Sequence, residues 1–372
     1  MERIIIIGAG ILGASAAYHL AKEGAEVIII DRKDKGQATD AAAGIICPWI
    51  SQRRNKAWYA LAKGGASYYP ELIRQLEDDG ETDTGYRKVG AISLHRDMDK
   101  LEKMEDRAIE RRKEAPEIGQ VTLLDERETS EQLPLLSEGF SSVYVEGAAR
   151  VDGRALRDAL LNAATKHGAT VLHGSATLVS EKSEITGVHV DGKSFKAKKV
   201  IIAAGAWASE LLEPLGLNVQ VTGQKAQIIH LHLDGHTTTN WPVVMPPTDQ
   251  YILPSDNGKI VIGATHEDET NLTSHATAGG IHEVLDKALT VAPGLGEAEF
   301  KEIRVGFRPF TPGFLPVIGE VLGHPELLFA NGLGASGLTV GPYLGKQLAS
   351  IALGQQVDID LSLYVVEKAI SM

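Results

Sequence analysis

The chain begins with two apolar runs separated by a helical stripe of small residues. Residues 4–7 are isoleucine at every position, which is typical of a strand buried on both faces of a parallel sheet. Residues 14–22 place alanine and leucine on one helical face, and residues 26–31 form a second apolar run that ends in Asp31. The pattern predicts a strand, a helix and a second strand, joined by a right-handed crossover.

The rest of the chain carries further helical and strand patterns. Residues 98–115 have helical spacing and so many charges of both signs that we expect a solvent-exposed helix. Asp191-Gly192 lies between two short predicted strands and predicts a tight hairpin turn. The predicted helices are residues 55–80, 98–115, 155–167, 275–291 and 343–353, and the predicted strands are residues 170–172, 176–181, 185–191, 194–198, 200–205, 219–234, 250–264 and 327–330.

The two kinds of strand are distributed unevenly. Fully apolar runs, typical of parallel strands, occur near the start, the middle and the end, whereas the alternating segments of antiparallel strands lie between them. With 372 residues, the chain is also longer than one hydrophobic core usually supports. We therefore predict an α/β protein with two discontinuous domains, the first formed by residues 1–85, 142–222 and 301–372, and the second, with a mixed or antiparallel sheet, by residues 86–141 and 223–300.

Composition narrows the class of protein. Apolar residues make up 43% and charged residues 23% of the chain, as in ordinary globular proteins rather than disordered or fibrous ones. The net charge of −12 argues against a nucleic-acid or anionic-membrane partner. Cys47 is the single cysteine, which excludes an internal disulfide and a cysteine-based metal site. Neither a leader peptide nor an apolar run of about 20 residues is visible, so we expect a cytoplasmic protein without a transmembrane segment.

A glycine motif follows the first predicted strand: Gly8, Gly10 and Gly13 have the spacing G-x-G-x-x-G and open the first helix. Gly8 suits a tight turn, Gly10 leaves room for a pyrophosphate, and Gly13 lets helix and strand pack closely. The helix N-terminus favours an anion, and Asp31 can accept hydrogen bonds from a ribose while repelling a 2′-phosphate. The sequence predicts a Rossmann-like dinucleotide site that disfavours NADP and leaves FAD and NAD open.

Three features favour FAD over NAD. The glycine motif lies at the start of the chain, and a small-residue segment at 39–44 follows Asp31 closely. A second glycine-rich stretch, residues 332–339, ends a late strand and precedes a helix. A flavin ring needs such a second backbone cradle, although a helix-capping turn would show the same pattern. We therefore expect FAD as the cofactor.

Six segments, spread in order over essentially the whole chain, are shared with a known family. They are residues 4–31, 38–44 (ATDAAAG), 200–208 (VIIAAGAWA), 250–265 (QYILPSDNGKIVIGAT), 305–319 (VGFRPFTPGFLPVIG) and 329–342 (FANGLGASGLTVGP). In these segments the sequence resembles the D-amino-acid oxidase superfamily of FAD oxidoreductases, most closely its glycine oxidase and D-amino-acid dehydrogenase branch. The resemblance implies a Rossmann-like FAD-binding domain of the GR2 type beside a substrate domain with a mixed sheet.

The resemblance also implies a substrate site with three side chains. Arg308 falls where the family places the arginine that binds the substrate carboxylate, a role that suits a planar guanidinium. Tyr251 matches the tyrosine whose hydroxyl reaches the same carboxylate, and His266 matches a position lining the pocket. We expect His266 to be a polar wall rather than a base, because a neutral amine can lose a hydride to flavin without one.

For the cofactor, the resemblance implies non-covalent FAD, because the cysteine that attaches flavin in some relatives has no counterpart near the C-terminal loops. Cys47 is then a small packing residue. Thr177 falls where backbone atoms contact the adenine. The expected cofactor contacts are Gly8, Gly10, Ile11, Leu12, Gly13, Asp31, Arg32, Thr39, Ala43, Gly44, Ile45, Thr177, Gly205, Gly332, Leu333, Gly334, Ala335, Ser336, Gly337, Leu338 and Thr339.

The implied reaction is oxidative deamination of a small amino acid such as glycine, sarcosine or D-alanine, with O2 as electron acceptor and hydrogen peroxide as a product. Three alternatives stay open: a D-amino-acid dehydrogenase that reduces a quinone or partner protein, a non-catalytic flavoprotein subunit, and an NAD-dependent enzyme. Ala335 stands where glycine oxidase has a basic residue, which leaves substrate size and electron acceptor open.

His230, His232 and His236 lack the surroundings of a metal site, so we expect no metal. A homo-oligomer is compatible with the sequence.

Overall fold

The computed structural model describes residues 3–182, 184–268 and 271–371. The helices in these ranges are α1 (Ile11–Lys22), α2 (Lys56–Asp78), α3 (Met98–Arg112), α4 (Glu126–Gln132), α5 (Gly153–Lys166), α6 (Ala208–Leu212), α7 (Ala278–Val291) and α8 (Gly337–Ala352). All helices predicted from the sequence are confirmed, whereas the short α4 and α6 were not predicted. Within the same ranges, no helix combines the length and apolar character needed to cross a membrane.

The strands confirm every predicted strand and the hairpin turn at Asp191-Gly192, and they include several that the sequence pattern did not predict. They are β1 (Arg3–Ile7), β2 (Glu26–Asp31), β3 (Ile45–Ile46), β4 (Arg87–Lys88), β5 (Ala91–His95), β6 (Val121–Leu124), β7 (Ser141–Val145), β8 (Ala149–Arg150), β9 (Thr170–His173), β10 (Ala176–Glu181), β11 (Glu184–Val190), β12 (Lys193–Lys196), β13 (Lys199–Ile202), β14 (Asn218–Val219), β15 (Thr222–His232), β16 (Val243–Met245), β17 (Tyr251–Pro254), β18 (Lys259–Gly263), β19 (Glu299–Phe310), β20 (Val317–Val321), β21 (His324–Asn331) and β22 (Ile370–Ser371).

A six-stranded sheet with the order β20-β21-β13-β1-β2-β9 forms the first layer. Its strands are parallel except β20, which pairs antiparallel with β21. Ile4 and Ile6 pack into a core that includes residues of α1, α2, α5 and α8. Ile5 and Ile7 face the opposite side, into a second core shared with β10 and β11. Because both faces of β1 are covered, every position from Ile4 to Ile7 is apolar.

An eight-stranded sheet with the order β19-β15-β18-β17-β16-β5-β7-β6 forms the second large layer. Most of its pairs are antiparallel, and β16 pairs parallel with β5, which confirms the mixed sheet. Helix α7 covers one face, where Val284 and Ala288 share a core with Ile229 and Ile262. Strands β15 and β19 pair along almost their whole length.

The division of the chain into two domains stays a prediction. Three of its boundaries, at residues 142, 223 and 301, fall inside β7, β15 and β19, and all three strands pair in the eight-stranded sheet. A division by sheet would therefore assign β7, β15 and β19 whole to the second domain. The sequence pattern did not predict where β19 begins, because β19 is an edge strand whose first four residues are exposed. This part of the strand lacks the apolar alternation by which a strand is predicted.

Helices α2 and α8 approach each other closely at a glycine. A Cβ atom on Gly65 would overlap the carbonyl oxygen of Thr339 and would lie 3.2 Å from the Cα of Val340. Backbone atoms cannot move aside as the end of a flexible side chain can. The glycine at position 65 therefore sets the distance between these two helices.

We expect Gly65→Ala to lower the free energy of unfolding by about 1–3 kcal/mol, because the added methyl group pushes α2 away from α8. Gly279→Ala in α7 is the matched control, since the position of its Cβ has no described neighbour within 4 Å. Its effect should stay within about 0.5 kcal/mol. Thermal unfolding followed by circular dichroism compares the two variants, and equal melting temperatures would contradict the close approach at Gly65.

Candidate active site

A cavity of about 360 Å³ opens at the carboxyl ends of the parallel strands. Loops that follow β1, β2, β13 and β21 surround it, at the edge where open α/β sheets bind their ligands. The eight-stranded sheet and its loops supply the other wall. The lining residues of that wall are Ala226, Asp249, Tyr251, His266, Gly306, Phe307, Arg308 and Pro309.

The first glycine loop is shaped by backbone packing. Gly8 has a φ of +106°, and a Cβ on it would overlap the backbone of Ala203. A Cβ on Gly13 would overlap the carbonyl oxygen of Gly8. At Gly10, by contrast, a Cβ would meet only Thr39 Oγ1, at 3.4 Å, so packing within the protein does not require glycine there. Gly10 faces the cavity, where a bound pyrophosphate needs that space.

The N-terminus of α1 presents backbone donors to the cavity. Gly10 caps the helix without a side-chain hydrogen bond. Thr39 Oγ1 accepts from the Ile11 N–H at 3.0 Å, and the N–H groups of Leu12 and Gly13 belong to the first turn, where the helix itself offers no acceptor. These donors and the helix dipole favour an anion at this end of the cavity.

Three hydrogen bonds fix the carboxylate of Asp31 at the end of β2. Its Oδ2 accepts from the Ala9 N–H at 2.7 Å, and its Oδ1 accepts from the Lys33 N–H at 2.6 Å and from Gln37 Nε2 at 2.8 Å. Asp31 also lines the cavity beside the first glycine loop. The acid is therefore held where a ribose next to the pyrophosphate would meet it.

The second glycine-rich stretch is joined to distant parts of the chain. Asn331 Nδ2 donates to the carbonyl oxygen of Gly205 at 2.9 Å, across 126 residues of sequence. Thr339 Oγ1 donates to the carbonyl oxygen of Ile45 at 3.1 Å, across 294 residues. These bonds bring the second stretch, the loop after β13 and the segment near Ile45 to the same cavity.

These residues fit a flavin dinucleotide. Donors, an acid and open space at Gly10 lie at one end, and walls of small residues such as Ala43, Gly44 and Gly334 lie further along. Burial raises the pKa of the Cys47 thiol to about 12, so the thiol stays protonated and unreactive. Cys47 is also outside the cavity lining, as expected for a packing residue beside non-covalent FAD.

Arg308 on β19 is a partly buried cation in the cavity wall. Its Nη1 donates to Gln224 Oε1 at 3.2 Å and to the carbonyl oxygen of Thr265 at 3.3 Å. Burial lowers the pKa of Arg308, against electrostatic interactions with Tyr251 and Asp249 that raise it, and an arginine still stays protonated at neutral pH. No carboxylate of the described residues lies within 4.0 Å of its guanidinium. Among the described residues Arg308 thus has no salt-bridge partner, although the charge of Asp249 acts on it from a greater distance.

Tyr251 and His266 line the cavity near Arg308. Tyr251 pairs with Gly263 across β17 and β18, and a Cβ on that glycine would lie 2.8 Å from the tyrosine hydroxyl. Burial raises the pKa of Tyr251, against the charge of Arg308, so the phenol stays a neutral donor. Burial and the charge of Arg308 lower the pKa of His266, against Asp249, which raises it. The imidazole is therefore neutral at pH 7.

Most of the residues predicted from the sequence meet at this cavity, while their roles toward a ligand stay predictions. Those in the lining are Gly8, Gly10, Ile11, Leu12, Asp31, Arg32, Thr39, Ala43, Gly44, Ile45, Gly205, Tyr251, His266, Arg308, Leu333, Gly334, Ala335, Gly337, Leu338 and Thr339.

The other predicted contacts lie behind or away from the lining. At Gly13 and at Gly332, an added Cβ atom would overlap a neighbouring protein atom. Ser336 Oγ accepts from Trp58 Nε1 at 3.0 Å. Thr177 is exposed on β10, and residues 174–176 line the cavity in its place.

Sequence reasoning missed Asp249 and Gln224. Asp249 lines the cavity from the loop between β16 and β17, and an isolated acid in a polar loop gives no sequence signal. Gln224 is opposite Arg308 in the pairing of β15 with β19, which depends on the fold. The one available hint was that Asp249 lies two residues before Tyr251.

The histidines on and after β15 are not surrounded, in the described ranges, by the side chains that a metal site needs. Burial and the charge of Arg304 lower the pKa of His230 to about 4. His232 Nε2 lies 2.8 Å from Asp234 Oδ1, and the ring of His236 contacts that of Trp241. In the part of the chain that the structure describes, no group of three His, Cys, Asp or Glu side chains could hold a metal ion.

Comparisons with known proteins agree with this geometry. The family described as FAD dependent oxidoreductase (DAO) matches residues 3–351. A Bacillus subtilis protein named uncharacterized oxidoreductase YurR is 62% identical over 365 residues, which cover 98% of either chain. Glycine oxidase from Pseudomonas aeruginosa is 29% identical over 368 residues, again 98% of each. The crystal structure of iminodiacetate oxidase (IdaA) from Chelativorans sp. BNC1 is 44% identical, has a TM-score of 0.95 and matches 98% of both chains.

The match runs through both glycine-rich loops and β19, so it covers the cofactor end and the substrate end of the cavity. The matched family is FAD-dependent, so the cofactor is FAD and not NAD. The chain belongs to the DAO family and is an FAD-dependent amino-acid or amine oxidoreductase.

Proposed function

We propose that this enzyme oxidises a small primary or secondary α-amino acid to its imino acid, which water hydrolyses to a 2-oxo acid and ammonia or an amine. The position of Arg308 carries the proposal. A partly buried cation without a described carboxylate partner lies in the same cavity as the two glycine loops. The carboxylate of an α-amino acid is the anion that suits this position.

Arg308 and Tyr251 are the residues to which we assign the substrate carboxylate. Gln224 and the carbonyl oxygen of Thr265 both accept from Nη1 of Arg308, which positions the guanidinium and leaves the donors on Nε and Nη2 for a ligand. The raised pKa of Tyr251 keeps its O–H protonated, so it can donate to the same carboxylate. Two donors on one carboxylate fix the orientation of the attached Cα.

Bound FAD would supply the two-electron oxidant for loss of a hydride from the substrate Cα. The residues that would hold it are those of the two glycine loops, Asp31 and the small-residue segment near Gly44. The protein's own contribution is then orientation of the substrate. His266, a neutral imidazole at pH 7, forms part of the wall at the substrate end, and an amine that is already neutral needs no base from it.

Oxygen is the electron acceptor that we propose, with hydrogen peroxide as a product. Two of the similar proteins are oxidases by name, one for glycine and one for iminodiacetate. Iminodiacetate is a secondary amine with two carboxylates, so secondary amines belong in the substrate range to be tested. A dehydrogenase that reduces a quinone or a partner protein is the alternative that the same chemistry allows.

Anaerobic addition of glycine, sarcosine, D-alanine, D-proline or iminodiacetate should bleach the flavin absorption of the purified enzyme in at least one case. Readmitted oxygen should then be consumed, with release of peroxide. An oxygen electrode used beside a dye-reduction assay identifies the acceptor. Dye reduction without oxygen uptake would favour the dehydrogenase, and an unchanged spectrum with every amino acid would contradict the proposed substrate class.

Arg308→Ala should raise KM for the best substrate of this panel by about 100–1,000-fold, because an ion pair and its hydrogen bonds are lost from a partly dry site. Lys301→Ala is the matched control: it removes a cation from the exposed start of the same strand, where Lys301 pairs with Glu299. Steady-state kinetics compare the two variants. A similar KM in Arg308→Ala and the wild type would place the carboxylate elsewhere.

Gly10→Ala should weaken FAD binding by about tenfold or more, because the methyl group occupies space that the pyrophosphate needs. Thr39 Oγ1 is its one close neighbour in the described protein, so the apoprotein should lose less than about 1 kcal/mol of stability. Flavin fluorescence titration of the apoprotein measures the affinity.

Gly13→Ala is the contrasting variant, since its Cβ would overlap the Gly8 carbonyl and should destabilise the apoprotein itself. Its melting temperature should therefore fall further than that of Gly10→Ala. Wild-type FAD affinity in Gly10→Ala would show that the pyrophosphate does not lie over this residue.

A further inference from the structure

Asp249 is a carboxylate at the substrate end of the cavity to which the proposed function gives no role. It lies in the loop between β16 and β17 and lines the same cavity as Arg308, Tyr251 and His266. Its side chain is 49% exposed, and its Oδ2 lies 3.5 Å from Nδ1 of His266. Its charge also acts on the pKa of Arg308, so the cavity holds a cation and an anion close enough to interact.

The negative charge of Asp249 is only partly neutralised by its neighbours. Lys287 on α7 lies 3.1 Å from Asp249 Oδ1, and the same amino group lies 2.9 Å from Glu283 Oε1. Two carboxylates therefore share one lysine, and His266 is neutral at pH 7. Burial acts to raise the pKa of Asp249, but the hydrogen bond and charge of Lys287 outweigh it and keep the pKa below its ordinary value. One net negative charge is left in this group of side chains.

An α-amino acid carries its two charges on adjacent groups. With the carboxylate on Arg308, the amine is joined to the next carbon and lies within a few ångströms of the guanidinium, in a cavity that Asp249 and His266 also line. An ionised carboxylate attracts an ammonium group, and more strongly when a bound ligand displaces water from it. A carboxylic acid without an amine would gain nothing from Asp249 and would be repelled by it.

We propose that Asp249 binds the amine nitrogen of the substrate opposite Arg308, and so selects primary and secondary α-amino acids over carboxylic acids that lack an amine. The inference rests on the proposed function, since it places the substrate carboxylate on Arg308. It makes Asp249 a specificity-determining residue of the same site. The charged and titratable groups that interact with it are His266, Lys287 and Arg308, and Glu283 binds the same lysine.

This contact has a consequence for the dependence of the rate on pH. A carboxylate beside an ammonium group stabilises its charged form and raises its pKa. The charged amine has no lone pair with which to expel a hydride from Cα, so the bound substrate first has to release this proton to solvent, to which Asp249 is half exposed. Removing the charge of Asp249 should therefore lower the pKa of the bound amine, and the rise of kcat with pH should begin at lower pH.

The test uses Asp249→Asn, which keeps the shape of the side chain and removes its charge. Anaerobic rapid-mixing titrations of the FAD-loaded enzyme, in which the flavin spectrum is read before any reduction, measure the binding of sarcosine and of acetate. We expect sarcosine to bind about tenfold more weakly to the variant, and acetate to bind equally well or more tightly. The acid limb of the kcat–pH profile for the best substrate should move to lower pH.

Glu283→Gln is the matched control. It removes the other carboxylate that holds Lys287, and Glu283 does not line the cavity. Sarcosine and acetate should bind to it as they bind to the wild type. If Glu283→Gln reproduces the effects of Asp249→Asn, the effect comes from releasing Lys287, and the inference is wrong.

The remaining outcomes separate the inference from the proposed function. If sarcosine and acetate both bind to the wild type but weaken equally in Asp249→Asn, or if the acid limb stays in place, Asp249 does not contact the amine while the assignment of Arg308 survives. If neither ligand perturbs the wild-type flavin spectrum, the proposed carboxylate site fails, and this inference fails with it.

Discussion

Close backbone packing at the carboxyl edge of the six-stranded sheet is the constraint on which the rest of the molecule depends. Gly8 turns against the backbone of Ala203, and Gly13 packs against the carbonyl of Gly8. Neither position has room for a side chain. Because both residues are glycine, the chain can turn tightly there and α1 can begin shortly after the end of β1. Its first-turn N–H groups then face the cavity, so a requirement of packing also creates the anion-binding end of the site.

The eight-stranded sheet contributes the substrate end because it is fastened to this same edge. The N–H of Phe307 on β19 donates to the carbonyl oxygen of Gly36 in the loop after β2, at 2.9 Å. A Cβ on Gly36 would overlap the ring of Phe307, and one on Gly306 would lie 2.8 Å from the Cβ of Ala41. Arg308 is the next residue along β19. The junction of the two sheets therefore fixes the distance between the cofactor end and the cationic side chain.

The electrostatics of the substrate end depend on a partly buried cation, Arg308, that forms no salt bridge with the described residues. Arg308 is bonded to two neutral oxygens, from Gln224 and Thr265, so its position is fixed while its charge stays available. Burying a cation in this way costs free energy, which an anionic ligand can offset. Burial and the charge of Arg308 together lower the pKa of His266, and Asp249 places an opposite charge in the same cavity. The result is a site with two poles, in a protein whose net charge is −12.

The sequence by itself determined the local structure and the cofactor: the apolar runs predicted β1, β2 and β13, and the glycine spacing with Asp31 predicted the dinucleotide site. Arg308 and Tyr251 came from the family resemblance, because an isolated arginine or tyrosine carries no periodic signal. Only the tertiary structure revealed β19 as an edge strand of the second sheet and brought Asp249 to the same cavity as Arg308. Local patterns report burial and backbone geometry within a few residues, whereas this pair of charges joins a strand and a loop from distant parts of the chain. Its formation depends on how the two sheets pack, which no short segment of the chain encodes.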